Sequence, residues 1–119
     1  MNQKRVWLGA VVLVGGIFVV VSRLTQRLVV EGASMSPFLR PGDRLLAIRH
    51  LPIRPGNVVA AEDPRHPGRL IIKRVAAVDR HSGEVVLAGD NPAGSTDSRH
   101  YGPVPRSAIR SRAVFRYAP

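Results

Sequence analysis

The chain has 119 residues, 45% of them hydrophobic, and a formal net charge of +10 at pH 7. This length suffices for one small domain, and the absence of cysteine excludes disulfides and thiolate zinc sites. The positive charge would suit a nucleic acid or an anionic membrane surface equally well. Because only 5% of the residues are aromatic and no nucleic-acid-reading motif is evident, we predict a membrane and not a nucleic acid as the partner.

The amino-terminal segment predicts a membrane anchor. Lys4 and Arg5 precede an uncharged apolar run over residues 6–21, which as a helix covers about 24 Å, somewhat less than a hydrocarbon core. A cleaved signal peptide is the main alternative, but the following SRLTQRL is bulky and basic and offers no small-residue cleavage site. We therefore assign residues 1–27 to an uncleaved anchor and residues 28–119 to a separate domain. The flanking positive charges are nearly balanced, so they do not decide the orientation.

The rest of the chain predicts short strands separated by turns. The apolar stretches are RLVVEG, DRLLAIR, NVVAAED, RLIIKRVAAVD, GEVVLAG and AVFRYA, and Pro and Gly lie between them. No segment after the anchor has a helical period over eleven residues. The pattern predicts a mostly β domain, a small barrel or sandwich, behind one transmembrane helix.

A first candidate for chemistry is the stretch EGASMSPFLRPGD, in which Ser34 and Ser36 flank Met35. Serines beside Gly and Pro are usually loop residues, and the G-x-S-x-G elbow of many hydrolases is absent because position 36 is Ser. A nucleophilic serine here would therefore need a different activating group. The four histidines lie in basic, turn-like contexts that are typical of solvated surface residues: His50, His66, His81 and His100.

Lys73 is a second candidate, because Lys4 is the only other lysine and arginine supplies the remaining positive charge. Lysine can lose its proton when it is desolvated, whereas arginine cannot. In RLIIKRV the two-residue period of a strand places Lys73 with Ile71 and Val75 on one face and Arg74 on the other. Apolar surroundings would lower the pKa of Lys73 towards neutrality, provided that no carboxylate pairs with it. The simpler alternative is a strand lysine that extends to the surface.

A third stretch, GDNPAGSTDSRHYGPVP, gathers hydrogen-bonding side chains among turn residues, including Asp90, Ser95, Asp97 and Arg99. One interpretation is a long Asx-rich loop closed by an ion pair between Asp97 and Arg99. The other is a loop whose polar side chains organise a functional site.

In order and spacing, the three stretches resemble the sequence boxes of the type I signal peptidases, which are membrane-anchored serine endopeptidases with a Ser/Lys dyad. GASMSPFLRPGD resembles the serine box, IIKRVAAV the Lys-Arg box, and GDNPAGSTDSR the third box. The resemblance extends over nearly the whole chain. Departures from the family pattern at Phe38, Asn57 and Pro92 remove no catalytic group. The compact length also resembles two specialised branches, the nickel superoxide dismutase maturation proteases and the mitochondrial inner-membrane peptidases.

The resemblance implies a role for each residue of the site. Ser34 would be the nucleophile, Lys73 the general base, and Ser95 the group that orients Lys73, while Met35 packs beside the site. Many family members have a hydroxyl-bearing residue at the position of Gly32. In this chain only backbone N–H groups would therefore donate hydrogen bonds to the oxyanion. The implied structural ion-pair residues are Arg74, Asp90, Asp97 and Arg99.

The implied function is an endopeptidase that removes signal or leader peptides from exported precursors through an acyl-enzyme, without a cofactor or metal. Its partners would be precursor proteins and the lipid bilayer. We expect a single-pass protein of the inner or cytoplasmic membrane, with Met1 inside and the catalytic domain on the extracytoplasmic side. One alternative is a maturation protease dedicated to a single client, such as a nickel superoxide dismutase precursor. Another is a non-catalytic membrane-bound β module whose basic face binds lipid or a partner.

Overall fold

The computed structural model describes residues 3–119, which form one apolar helix followed by six strands. The helices and strands are α1 Gln3–Leu24, β1 Thr25–Val29, β2 Arg44–Ile48, β3 Val58–Glu62, β4 Leu70–Val78, β5 Val85–Ala88, the one-turn α2 Ser98–Tyr101, and β6 Ile109–Ala118. Two short 3-10 turns lie at Pro92–Gly94 and Arg106–Ala108. The prediction of a mostly β chain with one apolar amino-terminal helix is confirmed.

Helix α1 is long and apolar enough to cross a membrane. It has 22 residues, and at about 1.5 Å per residue it spans about 33 Å, which matches a hydrocarbon core. The uncharged run over residues 6–21 predicted a shorter span. The helix is longer because it also includes the residues that flank this run. None of its residues is buried against the rest of the chain. Strand β1 follows at Thr25, inside the segment assigned to the anchor, because TQR pairs with β2.

The six strands form one antiparallel sheet in the order β1-β2-β6-β3-β4-β5. Strand β6 therefore lies at the centre, between β2 and β3. Strand β1 pairs only with β2, and β5 pairs only with β4. The first half of β4, Leu70–Lys73, pairs with β3 alone, since β5 joins β4 only from Arg74 onward. The outer edge of β1 and the edge of the first half of β4 are thus among the strand edges that remain unpaired in the described sheet.

The hydrophobic core lies on both faces of strand β3. Val58 and Ala60 belong to one buried cluster, and Val59 and Ala61 belong to a second, because alternate side chains of a strand point to opposite faces. All four are buried, which explains the continuous apolar run VVAA. The first cluster also contains Met35, so the core holds the chain directly beside Ser34.

Candidate active site

The segment that carries Ser34 is held in place by its neighbour Met35. Gly32 turns the chain after β1 with a φ of 70°, a value that glycine adopts without strain. Met35 then enters the core and is only 1% exposed, while its carbonyl oxygen accepts a hydrogen bond from the Leu39 N–H at 2.9 Å. Since the following side chain is fixed in the core, Ser34 is left half-buried at the surface of the domain.

The two serines of this segment have different surroundings. Ser34 lines a cavity that is also lined by Lys73. The hydroxyl of Ser36 instead donates to the Leu39 carbonyl at 3.3 Å, and Ser36 is not part of the cavity wall. Within residues 3–119 the Ser34 hydroxyl makes no direct hydrogen bond to Lys73. Catalytic hydrogen bonds are often long in proteins without substrate and tighten when it binds.

Lys73 is buried in strand β4, as the two-residue period predicted, with 5% of its surface exposed. Its Nζ donates to the Ser95 hydroxyl at 3.0 Å. Burial lowers the pKa of Lys73, the negative charge of Asp97 opposes this effect, and the positive charge of Arg65 adds to it. The balance leaves the pKa below the usual lysine value. The amine is therefore easier to deprotonate than an exposed lysine.

Ser95 connects Lys73 to a buried carboxylate. The Ser95 hydroxyl donates to Asp97 Oδ2 at 3.0 Å, so its oxygen is left to accept an N–H of Lys73. Among the described residues no carboxylate pairs directly with Lys73, although the charge of Asp97 acts on its pKa. The linear sequence does not reveal that Asp97 lies one hydroxyl group away. The pKa of Lys73 nevertheless stays lowered, because burial outweighs the charge of Asp97.

Asp97 is fully buried and strongly hydrogen bonded. It accepts from the Gly89 N–H at 2.9 Å and from Arg99 Nε at 2.9 Å, and it caps the short helix α2 through the Arg99 N–H. Burial alone would raise the pKa of Asp97, but the hydrogen bonds from Arg99 and Gly89 outweigh it and hold the pKa far below the ordinary aspartate value. The predicted contact of Asp97 with Arg99 is present.

Gly89, which the sequence reasoning did not single out, allows the serine segment and the Ser95 loop to meet. A Cβ atom at Gly89 would overlap the Ser95 hydroxyl and lie 2.7 Å from the Ser34 carbonyl oxygen. No larger residue fits without displacing one of the two serines. The only signal in the sequence is a glycine that ends an apolar strand immediately before the third box.

Asn91 is one of the hydrogen-bonding side chains of the third stretch, but the sequence indicated no particular role for it. Its backbone N–H donates to the Ser34 carbonyl at 2.8 Å, and its side chain donates to the Ala33 carbonyl at 3.1 Å. Asn91 thus joins the loop after β5 to the serine segment, 58 residues away along the chain. The acceptors in the serine segment are backbone carbonyl groups, which every residue type has, so the sequence of that segment gives no sign of this contact.

Arg74 points away from Lys73, as the strand period predicted, and forms a two-pronged ion pair with Asp90. Its Nε and Nη2 each donate to one oxygen of Asp90 at 2.8 Å, and its Nη1 donates to the Gly56 carbonyl at 2.8 Å. The guanidinium also lies over the Phe38 ring, 4.8 Å from its centre. These contacts fix the start of the third stretch against β4.

The cavity that Ser34 and Lys73 share has a volume of about 540 Å³ and is open to solvent. One part of the wall is formed by residues 27–35, which include the end of β1 and Gly32, and another by residues 69–73, which include the first half of β4. These two parts carry the unpaired edges of β1 and of the first half of β4. The described residues contain no cluster of His, Cys, Asp or Glu that could hold a metal ion. A serine and a buried lysine facing one peptide-sized cleft define a class of protein, the serine peptidases.

Comparison with known proteins identifies the family. The family model described as "Signal peptidase, peptidase S26" matches residues 3–79 and 81–118. A mitochondrial ATP-independent inner membrane protease subunit 1a of Arabidopsis thaliana is 36% identical over an alignment of 116 residues that covers 76% of this chain and 68% of that relative. The mitochondrial inner membrane protease subunit 1 of Xenopus tropicalis is 39% identical, with 75% of this chain and 66% of the relative covered. The human subunit 1 is 36% identical, with coverage of 75% and 67%.

The chain therefore belongs to the signal peptidase family, peptidase S26, and is a serine peptidase. The matches span about two thirds of the length of these relatives. The resemblance noted in the sequence is confirmed, including its similarity to the mitochondrial inner-membrane branch. The relatives are named as inner membrane proteases, and this chain has one helix that could span a membrane.

Proposed function

We propose that this protein is a membrane-anchored endopeptidase that cleaves signal or leader peptides from precursor proteins, with Ser34 as nucleophile and Lys73 as general base. The observation that carries the proposal is the hydrogen-bonded series from Asp97 through Ser95 to Lys73, which lines the same cavity as Ser34. The Ser95 proton is committed to Asp97, so Ser95 accepts one N–H of Lys73. In the neutral amine this arrangement leaves the nitrogen lone pair free for the Ser34 proton.

The reaction then proceeds in two halves. Neutral Lys73 takes the hydroxyl proton of Ser34 while Oγ bonds to the scissile carbonyl carbon, and the resulting ammonium donates that proton to the departing amine nitrogen as the peptide bond breaks. Water attacks the acyl-enzyme with Lys73 again accepting a proton. The proton returns to Ser34 Oγ when the carboxylic product leaves. Each half needs Lys73 neutral at its start, which its lowered pKa favours.

Stabilisation of the oxyanion is assigned to the backbone. The Ser34 N–H has no acceptor within residues 3–119, so it is available as a donor to a substrate carbonyl. Gly32 carries no hydroxyl group that could add a second donor. Loss of one oxyanion donor costs roughly 100-fold or more in other enzymes, so a site with backbone donors alone depends on an accurately placed Ser34 segment. Met35 and Asn91 provide that placement.

The proposed substrate binds as an extended peptide between two unpaired strand edges. Unpaired edges of β1 and of Leu70–Lys73 offer backbone N–H and C=O groups to a third strand laid between them. This mode reads the substrate mainly through its backbone. It therefore requires a cleavage site that is unfolded, as the region around a signal or leader peptide junction is in a precursor.

The bilayer has a role in this proposal as well. Helix α1 would hold the enzyme in the membrane in which its precursors are inserted, which raises their effective concentration at the site. The catalytic domain would lie on the extracytoplasmic side, where precursors emerge. A protease dedicated to a single precursor would use the same residues. A non-catalytic β module would have no use for a buried lysine whose charge opposes folding.

The test compares the two serines in the full-length protein reconstituted with a signal-bearing precursor. Ser34→Ala should reduce cleavage at least about 1,000-fold, because it removes the attacking oxygen, and the Ser95 hydroxyl, which also contacts Lys73, is bound to Asp97. Ser36→Ala is the matched control and should keep most of the activity, since its hydroxyl only contacts Leu39. The cut position is mapped by mass spectrometry. Equal cutting by Ser34→Ala and wild type, or loss of cutting in Ser36→Ala alone, contradicts the assignment.

A further inference from the structure

The junction between the helix and the sheet contains no linker. Helix α1 ends at Leu24 and strand β1 begins at Thr25, where Thr25 pairs with Ile48 of β2. The last carbonyl groups of a helix have no partner within the helix and need donors from elsewhere. At this helix those donors come from the sheet, so the junction belongs to the folded domain.

Arg49, directly after β2, supplies most of these donors. Its backbone N–H donates to the Leu24 carbonyl at 2.7 Å, and its Nη1 donates to the Arg23 carbonyl at 3.0 Å and to the Thr25 carbonyl at 2.7 Å. A guanidinium also carries the charge that favours a helix carboxyl end. One residue of a separate strand thus takes three consecutive carbonyl groups across the junction.

Two further features keep the junction in one geometry. The Thr25 hydroxyl donates to the Val21 carbonyl at 2.7 Å, one turn back into the helix. His50, which follows Arg49, has a φ of 66°, a backbone conformation that a non-glycine residue keeps only where its surroundings enforce it. The Thr25 hydrogen bond spans the junction and opposes bending there, and the constrained turn at His50 fixes the end of the segment that carries Arg49.

The fixed junction leads directly into the active site. The end of strand β1 and the residues after it form part of the cavity wall and reach Ser34 ten residues beyond Leu24, at most about 33 Å of extended chain. With no hinge between Leu24 and β1, the height of Ser34 above the membrane surface follows from the helix and the sheet alone. A precursor inserted in the same bilayer has its own cleavage site at a height set by the length of chain after its membrane segment.

We propose that Arg49 locks the anchor helix to the sheet, so that the enzyme selects cleavage sites by their distance from the precursor's own membrane segment. Arg49 is on this view a positioning residue that sets specificity without touching the substrate. The inference rests on the proposed membrane-bound endopeptidase function. It adds that the fixed junction, and Arg49 in particular, determines which distance the enzyme accepts.

The experiment uses the full-length protein in liposomes with a series of precursors that share one membrane segment and one cleavage sequence. The spacer between them is varied in steps of two residues, about 7 Å of extended chain. Wild-type cleavage should peak at one spacer and fall about tenfold or more when the spacer differs by four residues. Arg49→Ala should broaden the peak, whereas cleavage of a soluble peptide with the same sequence should stay within about twofold of wild type.

Two other variants make the result specific to the junction. Arg110→Ala is the matched control, because Arg110 forms an exposed ion pair with Glu62 of β3 and donates to none of the junction carbonyl groups. It should keep the narrow peak. Insertion of Gly-Ser-Gly-Ser between Leu24 and Thr25 leaves every residue of the sheet in place and should broaden the peak even if Arg49→Ala does not fold.

A second readout does not depend on catalysis. The chain has no cysteine, so Ser107→Cys, at an exposed position, accepts a single fluorescent label. Time-resolved anisotropy in liposomes should show the domain moving with the anchor in wild type and moving independently in Arg49→Ala.

Equal cleavage of all spacers by wild type, or unchanged peaks and anisotropy in both junction variants, would overturn the inference while the endopeptidase function stands. If wild type cuts neither precursor nor soluble peptide, the proposed function fails and distance selection fails with it.

Discussion

The buried amine of Lys73 links catalysis to stability. Its pKa in the folded protein is lowered chiefly by burial, so between that value and the unfolded value of about 10.4 the native state binds fewer protons than the unfolded state. The free energy of unfolding should therefore rise with pH across this interval. Below the interval it is reduced by the full cost of burying the charged amine. The penalty is about 1.4 kcal/mol for each pH unit between the two values.

Lys73→Met tests this link, because it keeps much of the apolar stem and removes the charge. The variant should be inactive, yet at least as stable as wild type at pH 7, with an advantage that shrinks towards pH 10. Denaturant midpoints of the full-length proteins in detergent at both pH values measure the effect. Arg80→Met, at an exposed turn, is the control and should show no such change with pH. A Lys73→Met protein clearly less stable at pH 7 would mean that Lys73 is a structural cation.

Gly89→Ala tests the contact between the two serine-bearing segments. The added methyl group overlaps the Ser95 hydroxyl, so Ser95 must move and its hydrogen bond to Lys73 is lost. We expect precursor cleavage to fall about 100-fold and stability by about 1 to 3 kcal/mol. Gly16→Ala in α1, where an added methyl group meets no atom within 4 Å, should leave both unchanged. Activity assays and thermal unfolding distinguish the two, and a fully active Gly89→Ala protein would show that Ser95 need not be fixed.

At the residue scale, the sequence predicted side chains better than backbone contacts. The burial of Lys73 followed from a two-residue period, and the approach of Asp97 to Arg99 from their spacing in a turn-rich loop. Gly89 and Arg49 were missed and the role of Asn91 was not predicted, because each acts on a backbone carbonyl or through the absence of a side chain. Such contacts depend on which segments meet in the folded chain, and residue type alone does not reveal that.

At the element scale, the ion pair of Arg74 and Asp90 ties β4 to the loop that carries the third box. Hydrogen bonding from Arg74 lowers the pKa of Asp90 below its usual value, so this contribution is complete above the unfolded aspartate pKa and is lost as the pH falls through the lower folded value. Both side chains are partly exposed, which weakens the pair by solvent screening.

Arg74→Lys should lower stability by about 1 kcal/mol, because a lysine replaces the two-pronged bond by a single one and cannot also reach Gly56. The loss should be present at pH 7 and smaller in strong acid, because protonation removes the charge of Asp90 once the pH falls through its lowered pKa. Urea unfolding under both conditions measures it. Arg110→Lys, at an exposed ion pair with Glu62, is the control and should change stability little at either pH. Equal losses of stability in the two variants would argue against a special role for the two-pronged ion pair of Arg74 with Asp90.

The strands themselves were predictable, but their order was not. All six apolar stretches form strands, because each has the composition of a half-buried strand. Strand β6 begins at Ile109, earlier than the predicted stretch AVFRYA. The sequence did not reveal these first residues as strand because Arg110 and Arg112 interrupt the apolar pattern. Ser111, between them, is buried and donates a hydrogen bond to Gln26. Its central place between β2 and β3 depends on pairings distant in sequence. The cavity between β1 and β4 follows from that order and was not predictable.

At the scale of the whole molecule, the orientation in the membrane can be tested directly. We expect the domain after Leu24 on the extracytoplasmic side, although the flanking charges are balanced, because long domains are translocated largely regardless of their charge. Trypsin should digest the arginine-rich domain in spheroplasts and spare it in inverted membrane vesicles. The opposite pattern would contradict the proposed orientation. Met1 itself lies outside the described residues, so its expected position inside stays a prediction.

Because arginine supplies almost every positive charge, the amine of Lys73 can be labelled selectively. Lys73 is the only lysine after Lys4, so amine-directed acylating reagents have a single side-chain target in the whole domain. Its lowered pKa makes that amine more reactive near neutral pH than an ordinary lysine. A reagent small enough to enter the cleft would mark Lys73, and a peptide lying in the cleft would shield it. Occupancy of the site could then be followed by mass in intact membranes, without a cleavage assay.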